Sequence, residues 1–328
     1  MSLTDGFGRK IDYLRLSVTD RCDFRCIYCM DEAPVFLPRA EVLTLEELQQ
    51  IAQAFTELGV RKIRLTGGEP LVKSDLVSLV ANIAKLPGLD DLCMTTNGSR
   101  LTKFAQPLAE AGLMRLNISL DTLDPQRFEA TTRNGKLERV LAGIDAAQAA
   151  GFKRVKLNAV AIKGNNDDEI VDLVHYAREQ GVDITFIEEM PLGVLNTDRR
   201  DHSLLTSDEV KAQLETAFNL IGTNENTGGP ARYYRMDDSD IRIGFISPHS
   251  HNFCGDCNRV RVTTTGELLL CLGNENSVDL RLILRKYPND IERLKQVIVD
   301  AMGAKPEKHH FSTGAETQIL RFMSHTGG

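Results

Sequence analysis

The eight residues Cys22-Asp-Phe-Arg-Cys26-Ile-Tyr-Cys29 constrain this chain more than any other stretch. They place three thiols at C-x3-C-x2-C spacing, in a loop directly after the strand-like run Tyr13-Leu-Arg-Leu-Ser-Val-Thr19. Iron–sulfur clusters are held by cysteine thiolates, and a [4Fe–4S] cube has four irons to ligate. Three protein thiolates leave one iron open to a ligand that is not protein. A structural zinc site instead closes a tetrahedron, commonly from two cysteine pairs. A tight triplet with no fourth ligand beside it fits zinc poorly.

With 328 residues the chain is long enough for one large domain or two ordinary ones. No apolar run approaches the ~20 residues of a membrane span. The opening Met1-Ser-Leu-Thr-Asp-Gly-Phe-Gly-Arg-Lys10 lacks the apolar core of a signal peptide. A cytoplasmic protein with no membrane partner is expected. The 39 basic and 46 acidic residues give a net charge of −7, which argues against the broad basic face of a general nucleic-acid binder. A local cationic pocket stays open. Seven cysteines in such a protein point to metal or redox chemistry rather than disulfides. Six fall in two triplets, and Cys93 reads as a small apolar strand residue.

Downstream of the Cys loop, Thr44-Leu-Glu-Glu47 has capping-box spacing. Leu45, Leu48, Ile51, Ala52 and Phe55 then recur at helical intervals, and Gly59 ends the helix. Strand-like runs follow near 62–66, 92–96, 114–120, 154–162 and 183–188. Helical runs lie between them near 74–85, 101–111, 137–150 and 167–180, the last starting at Asn166 with Glu169. With the first strand this makes six βα units, hence a parallel sheet with helices outside. An open doubly wound sheet and a partial barrel both satisfy that pattern. Each puts the active site at the C-terminal ends of its strands, where the Cys loop lies.

The strand phases carry more. Arg15 lies between Leu14 and Leu16, Arg64 between Ile63 and Leu65, and Lys156 between Val155 and Leu157, while Asn117 and Ser119 flank Ile118. Successive strand side chains point to opposite faces. With the aliphatic residues against the helices, Arg15, Arg64, Thr95, Asn117, Ser119 and Lys156 share the other face. A parallel sheet covered on both sides is apolar on both, and buried cations need partners. The competing reading is an amphipathic sheet with one wet face. A cationic pocket of this kind suits a polyphosphate.

From about residue 190 the βα rhythm stops. Residues 219–230 are rich in Gly, Asn and Thr and read as a boundary, dividing the chain into 1–218 and 219–328. Beyond it stand Cys254-Gly-Asp-Cys257, then Asn258-Arg259-Val-Arg261, a hairpin-like Thr264-Thr-Gly-Glu267, and Cys271. This second triplet is C-x2-C-x13-C. His249 and His251 lie close by, so a closed Cys3His zinc site is a real alternative here.

The first triplet, with Tyr28 before its last cysteine, resembles the signature of the radical S-adenosylmethionine (SAM) enzymes. Thr66-Gly-Gly-Glu-Pro70 resembles the segment that holds the SAM amino group in them, although Lys73 stands where that family usually has arginine. The whole chain resembles the GTP 3',8-cyclase family of molybdenum-cofactor biosynthesis. That resemblance rests on Tyr13-Leu-Arg-Leu-Ser17, both triplets, Leu65–Pro70, Thr95-Thr-Asn-Gly98, Phe253–Arg261 and the terminal Gly327-Gly328. The second triplet with N-R-x-R behind it is its most specific part.

The resemblance implies a partial (β/α)6 TIM-like barrel of the radical SAM type, with a C-terminal extension carrying a second iron–sulfur cluster. Cys22, Cys26 and Cys29 would hold the SAM-cleaving [4Fe–4S] cluster. Cys254, Cys257 and Cys271 would hold a second [4Fe–4S] cluster that binds guanine. Tyr28, Gly68, Ser119 and Met190 match SAM-binding positions. Arg15, Arg64, Thr95, Lys156, Arg259, Val260 and Arg261 match GTP-binding positions. Gly327 and Gly328 are expected to enter the active site, with Thr326 before them where isoleucine is common. In the implied reaction a 5'-deoxyadenosyl radical takes the hydrogen from C3' of GTP. C3' then bonds to C8, and one electron and a proton complete 3',8-cyclo-7,8-dihydro-GTP. The resemblance also implies an electron donor, a functional hand-over to cyclic pyranopterin monophosphate synthase, and a possible homodimer. Two rivals stand beside it. One is a radical SAM enzyme with an auxiliary cluster acting on a peptide, separated by which substrate stimulates SAM cleavage. The other is a non-catalytic zinc-binding scaffold, separated by metal analysis.

Overall fold

The computed structural model describes residues 2–190, 203–309 and 323–327. Six parallel strands come first: β1 Tyr13–Ser17, β2 Lys62–Thr66, β3 Asp91–Thr96, β4 Arg115–Ser119, β5 Arg154–Ala161 and β6 Asp183–Glu188. They neighbour one another in chain order. A doubly wound sheet reverses its order at a switch point. This one does not reverse, so the winding is that of a barrel, open because β1 and β6 do not pair. The helices between the strands are α1 Leu45–Glu57, α2 Leu76–Ile83, α3 Leu101–Glu110, α4 Pro125–Thr132, α5 Leu137–Ala149 and α6 Ile170–Glu179.

The local rules behind these elements are visible. Thr44 Oγ1 accepts from the Glu47 amide at 3.2 Å, and Glu47 returns the contact to the Thr44 amide at 2.8 Å, which closes the capping box of α1. Gly59 follows at φ 97°. On β5 the residues alternate strictly, with Val155, Leu157, Ala159 and Ala161 in the core and the intervening side chains on the other face. Two expectations shift. The helix anticipated from 167 begins at Ile170, with Glu169 as its N-cap residue. Asn166 instead ties the loop after β4 to strand β5, its side-chain amide donating to the carbonyls of Asp121 and Val160. Helix α4 was not anticipated; Asp124 caps it and Pro125 opens it.

The last third of the chain builds on both free edges. Strands β7 Leu220–Gly222, β8 Arg232–Met236 and β9 Ser239–Ile246 extend the sheet from β6, with β9 parallel to it. Strands β10 Arg259–Val262, β11 Glu267–Leu269 and β12 Ser277–Asp279 extend it from β1, with β10 parallel to β1. One twelve-stranded sheet results. The sheet runs unbroken past residue 218, and β7 lies inside the stretch that reads as a boundary. Helix Leu280–Lys286 packs on β11, and helix Ile291–Met302 packs on it and on α1. No described helix is long and apolar enough to cross a membrane.

Candidate active site

Register aligns the cationic residues. Arg261 of β10 faces Arg15 of β1, and Arg15 faces Arg64 of β2. Partners directly opposite one another lie on the same face, so three arginines stand side by side across three strands. One step earlier, Arg259 faces Tyr13 and Tyr13 faces Lys62. Like charges directly opposite are destabilising. Burial, reinforced by Arg15 and Arg259, pushes the Arg261 guanidinium well below its ordinary pKa. Such a row is stabilised by a bound anion.

Two buried tyrosines organise these cations. The Tyr13 hydroxyl accepts from Arg64 Nε at 2.7 Å and from Arg15 Nη1 at 3.4 Å, and Lys62 Nζ lies 4.6 Å from the centre of the Tyr13 ring. Burial alone would raise the Tyr13 phenol, but Arg64 and Arg15 outweigh it and hold it at about 7. Across the cavity the Tyr233 hydroxyl takes Lys156 Nζ at 3.3 Å, while Arg242 stacks 4.8 Å over its ring. Burial lowers Lys156 to about 7, and Arg64 adds to the effect. Thr95 Oγ1 accepts from Arg64 at 3.3 Å.

Both cysteine triplets open onto the same cavity. The first lies in the loop after β1. Its Arg25 and Ile27 amides donate to the Thr132 and Thr131 carbonyls at the end of α4, and Phe24 packs edge-on against Phe128 at 5.9 Å. Helix α4 is thus the platform of the Cys loop. Burial first, then nearby negative groups, raises the Cys22 and Cys26 thiols. A thiolate forms in such a place when a metal centre supplies the compensating charge. The Phe24 amide points at Cys22 Sγ at 3.4 Å.

In the second triplet, Cys254 begins a 3-10 turn, Cys257 follows it, and the β10–β11 hairpin returns Cys271 beside them. The His309 amide donates to Cys254 Sγ at 3.4 Å and Lys305 Nζ to Cys257 Sγ at 3.6 Å. Burial raises the Cys257 thiol, yet Arg259 and Lys305 outweigh it and leave it below its ordinary pKa. Neither nearby histidine turns its Nε2 to these thiols. His249 Nε2 meets the Glu189 carbonyl at 2.9 Å, and His251 Nε2 meets the Asp208 carboxylate at the same distance. Among the described residues no three His, Cys, Asp or Glu side chains converge on one metal ion. The three sulfurs of a zinc site would stand about 4 Å apart. N–H donors aimed at cysteine sulfurs suit the thiolate ligands of iron–sulfur clusters.

The remaining expected residues meet the same cavity. Tyr28 donates to Asp121 at 2.5 Å, Gly68 follows β2, Ser119 ends β4, and Met190 lies just past β6. Val260 is placed differently from its neighbours. It is 1% exposed in the core, on the strand face opposite Arg259 and Arg261. Gly327 sits against Thr66 and Gly67, and its carbonyl accepts from Arg261. Thr326 is buried beside it. Gly328 lies outside the described residues. Lys73 does not line the cavity; its charge faces Asp20 and Glu46. Sequence reasoning missed Tyr13, Lys62, Asp121 and Tyr233, all of which line the cavity. The strand alternation that finds Arg15 and Arg64 would have found Tyr13 and Lys62 two residues earlier.

Residues 16–177 match the model of the radical SAM superfamily and residues 182–311 that of Molybdenum Cofactor Synthesis C. The chain is 61% identical to the GTP 3',8-cyclase of Pseudomonas entomophila strain L48, over 100% of this chain and 98% of that protein. The chain belongs to the GTP 3',8-cyclase family. The GTP 3',8-cyclase of Pseudomonas putida strain W619 gives the same identity and coverage. Among solved structures, Streptococcus suis SuiB bound to S-adenosylmethionine superposes with a TM-score of 0.60, covering 86% of this chain and 66% of that one. At 16% identity that likeness shows the fold alone. Membership of the superfamily carries with it SAM and one [4Fe–4S] cluster.

Proposed function

We propose that this chain is a GTP 3',8-cyclase that performs the first step of molybdenum-cofactor biosynthesis, joining C3' of GTP to C8 by radical chemistry. The observation that carries this reading is the row Arg261, Arg15 and Arg64 on a cavity lined by both cysteine triplets. Cys22, Cys26 and Cys29 would hold the [4Fe–4S] cluster, which when bound would supply the electron for SAM cleavage. Tyr28, Gly68, Ser119 and Met190 contact SAM. Arg15, Arg64, Arg259, Arg261 and Lys156 grip the triphosphate by charge-assisted contacts, with Thr95 beside Arg64. Val260 contributes through its backbone. Cys254, Cys257 and Cys271 would hold a second [4Fe–4S] cluster, which would supply a ligand site for the guanine. The two grips set C3' beside the radical source, where misplacement of about 1 Å costs ~100-fold in rate. The proposed SAM-cleaving residues lie within 1–218 and the proposed guanine-binding triplet within 219–328, the two stretches sharing one sheet. An external electron donor and a cyclic pyranopterin monophosphate synthase complete the sequence in the cytoplasm.

The test is anaerobic. The protein is reconstituted with iron and sulfide, given SAM and a reductant, and assayed for 5'-deoxyadenosine with GTP, with ATP and with neither. A rise with GTP alone is expected. SAM cleavage indifferent to GTP would leave a radical SAM enzyme of another kind, the peptide-modifying reading included.

The cavity also predicts a pH dependence. Burial and Arg64 hold Lys156 at about 7, with Lys62, Asp183 and Tyr13 as its other charged neighbours. A bound triphosphate favours the charged lysine, so above pH 7 binding takes up a proton. The KM for GTP is expected to rise about fivefold between pH 7 and 8 beyond the rise in Lys156→Arg, whose charge does not titrate there. Titration of GTP itself is common to both proteins. Equal KM profiles would remove Lys156 from the phosphate grip.

A further inference from the structure

Lys305 is a buried ammonium, 2% exposed, in the segment after helix Ile291–Met302. A lysine ammonium has three donors, and here all three are used. Nζ donates to the Leu270 carbonyl at 2.6 Å, the Arg259 carbonyl at 3.1 Å and Cys257 Sγ at 3.6 Å. Leu270 directly precedes Cys271, and Arg259 lies two residues after Cys257. One amine thus ties both arms of the β10–β11 hairpin to a thiol at its base. No carboxylate forms an ion pair with Lys305 among the described residues. A buried charge needs a counter-charge, and Cys257 is the group it meets that can carry one.

The segment that carries Lys305 is itself fastened to the second triplet. Arg9 Nη1 donates to the Cys254 carbonyl and to the Glu307 carbonyl, both at 2.7 Å, and Nη2 to the Pro306 carbonyl at 2.7 Å. Asp5 holds Arg9 Nε at 2.6 Å. The His309 amide then meets Cys254 Sγ. Residues 305–309 form a strap across two of the three cysteines, pinned by the N-terminal segment.

We propose that Lys305 is a positioning residue of the second cluster, whose ammonium stabilises the reduced cluster through Cys257 and holds the hairpin that presents Cys271. The proposal rests on the reading that Cys254, Cys257 and Cys271 carry a cluster. The potential of such a cluster is set by its net charge and by hydrogen bonds to its sulfurs. Removing a positive donor therefore disfavours the reduced form.

The experiment uses the full chain with Cys22, Cys26 and Cys29 all changed to Ser, so that only the second cluster is loaded. Iron content and an EPR-monitored redox titration are measured with Lys305, Lys305→Met and Lys305→Arg. In Lys305→Met the reduced-to-oxidised ratio at a fixed potential is expected to fall at least about tenfold, a midpoint about 59 mV lower for one electron. Lys305→Arg is expected to recover most of that difference. An unchanged midpoint in Lys305→Met with full iron overturns the proposal. If Lys305→Met loses its iron, Lys305→Arg decides. Iron retained with a near-parental midpoint supports the charged donor, and equal loss from both variants overturns it. A protein that binds no iron with Lys305 intact would refute the cluster reading instead.

Discussion

Gly327→Ala is expected to lower GTP cyclisation at least about 100-fold while iron content stays at the parental level. Gly327 has φ 76°, a region that costs an L-residue about 1 kcal/mol or more. The steric clash costs more than the backbone conformation does. A Cβ built there runs into Thr66 Oγ1 and lies 2.8 Å from Thr66 Cβ. Thr66 ends β2 and is buried, so it has little room to yield. The tail must therefore back out. Its carbonyl then releases Arg261, one of the three aligned arginines. On the proposed phosphate grip, a shift of about 1 Å in Arg261 is enough for a ~100-fold loss. Deleting Gly327 and Gly328 together is expected to do at least as much. Cyclised product, 5'-deoxyadenosine and iron are measured in parallel. Parental cyclisation in either variant would return the tail to the ordinary status of a dispensable terminus.

Gly68→Ala is expected to abolish SAM cleavage itself, with or without GTP. The added Cβ would stand 2.5 Å from the Arg21 carbonyl oxygen and 2.7 Å from that of Asp20. These are backbone atoms and cannot swing aside. They belong to the loop that delivers Cys22, and that loop is stitched to the same turn by Gly68 N–H to the Thr19 carbonyl and Glu69 N–H to the Arg21 carbonyl, both at 2.8 Å. Relief of the clash moves the first cysteine of the triplet. Production of 5'-deoxyadenosine is expected to fall to the uncatalysed background, with iron in the first cluster reduced. SAM cleavage within twofold of the parent would show that the loop accommodates the methyl group and that close backbone approach is not what Gly68 provides.

The parts of this molecule that are local were legible in the sequence. The capping box at Thr44 and the six βα units follow from spacing within a dozen residues. Strand alternation placed Arg15, Arg64, Thr95, Ser119 and Lys156 on one face, and they line one cavity. Tyr13 and Lys62 obey the same alternation, but Tyr13 passes for core because its ring is apolar and only its hydroxyl serves the arginines. Helix α4 carries Asp124 and Pro125 as start signals, yet Phe128 is its only large apolar residue, so periodicity is weak there. Tyr233 and Lys305 gave no local sign. The partners that define them, Lys156 for one and Cys257 for the other, lie far along the chain. The open edges of the barrel were equally silent, since nothing in β9 or β10 announces a parallel pairing with strands made much earlier.

That pairing sets a timetable for the newborn chain. β1 is flanked on one side by β2 and on the other by β10, whose first residue follows Tyr13 by roughly 250 positions. At ordinary rates of synthesis, about 5–20 residues per second, that edge waits on the order of 10–50 s for its partner. β6 waits a shorter time for β9, which begins roughly 50 residues after β6 ends. Pairings of such long separation are slow to form, and an unmet strand edge invites other chains. A half-built sheet thus carries its first cysteine loop at the rim well before β10 arrives to complete that side of the cavity.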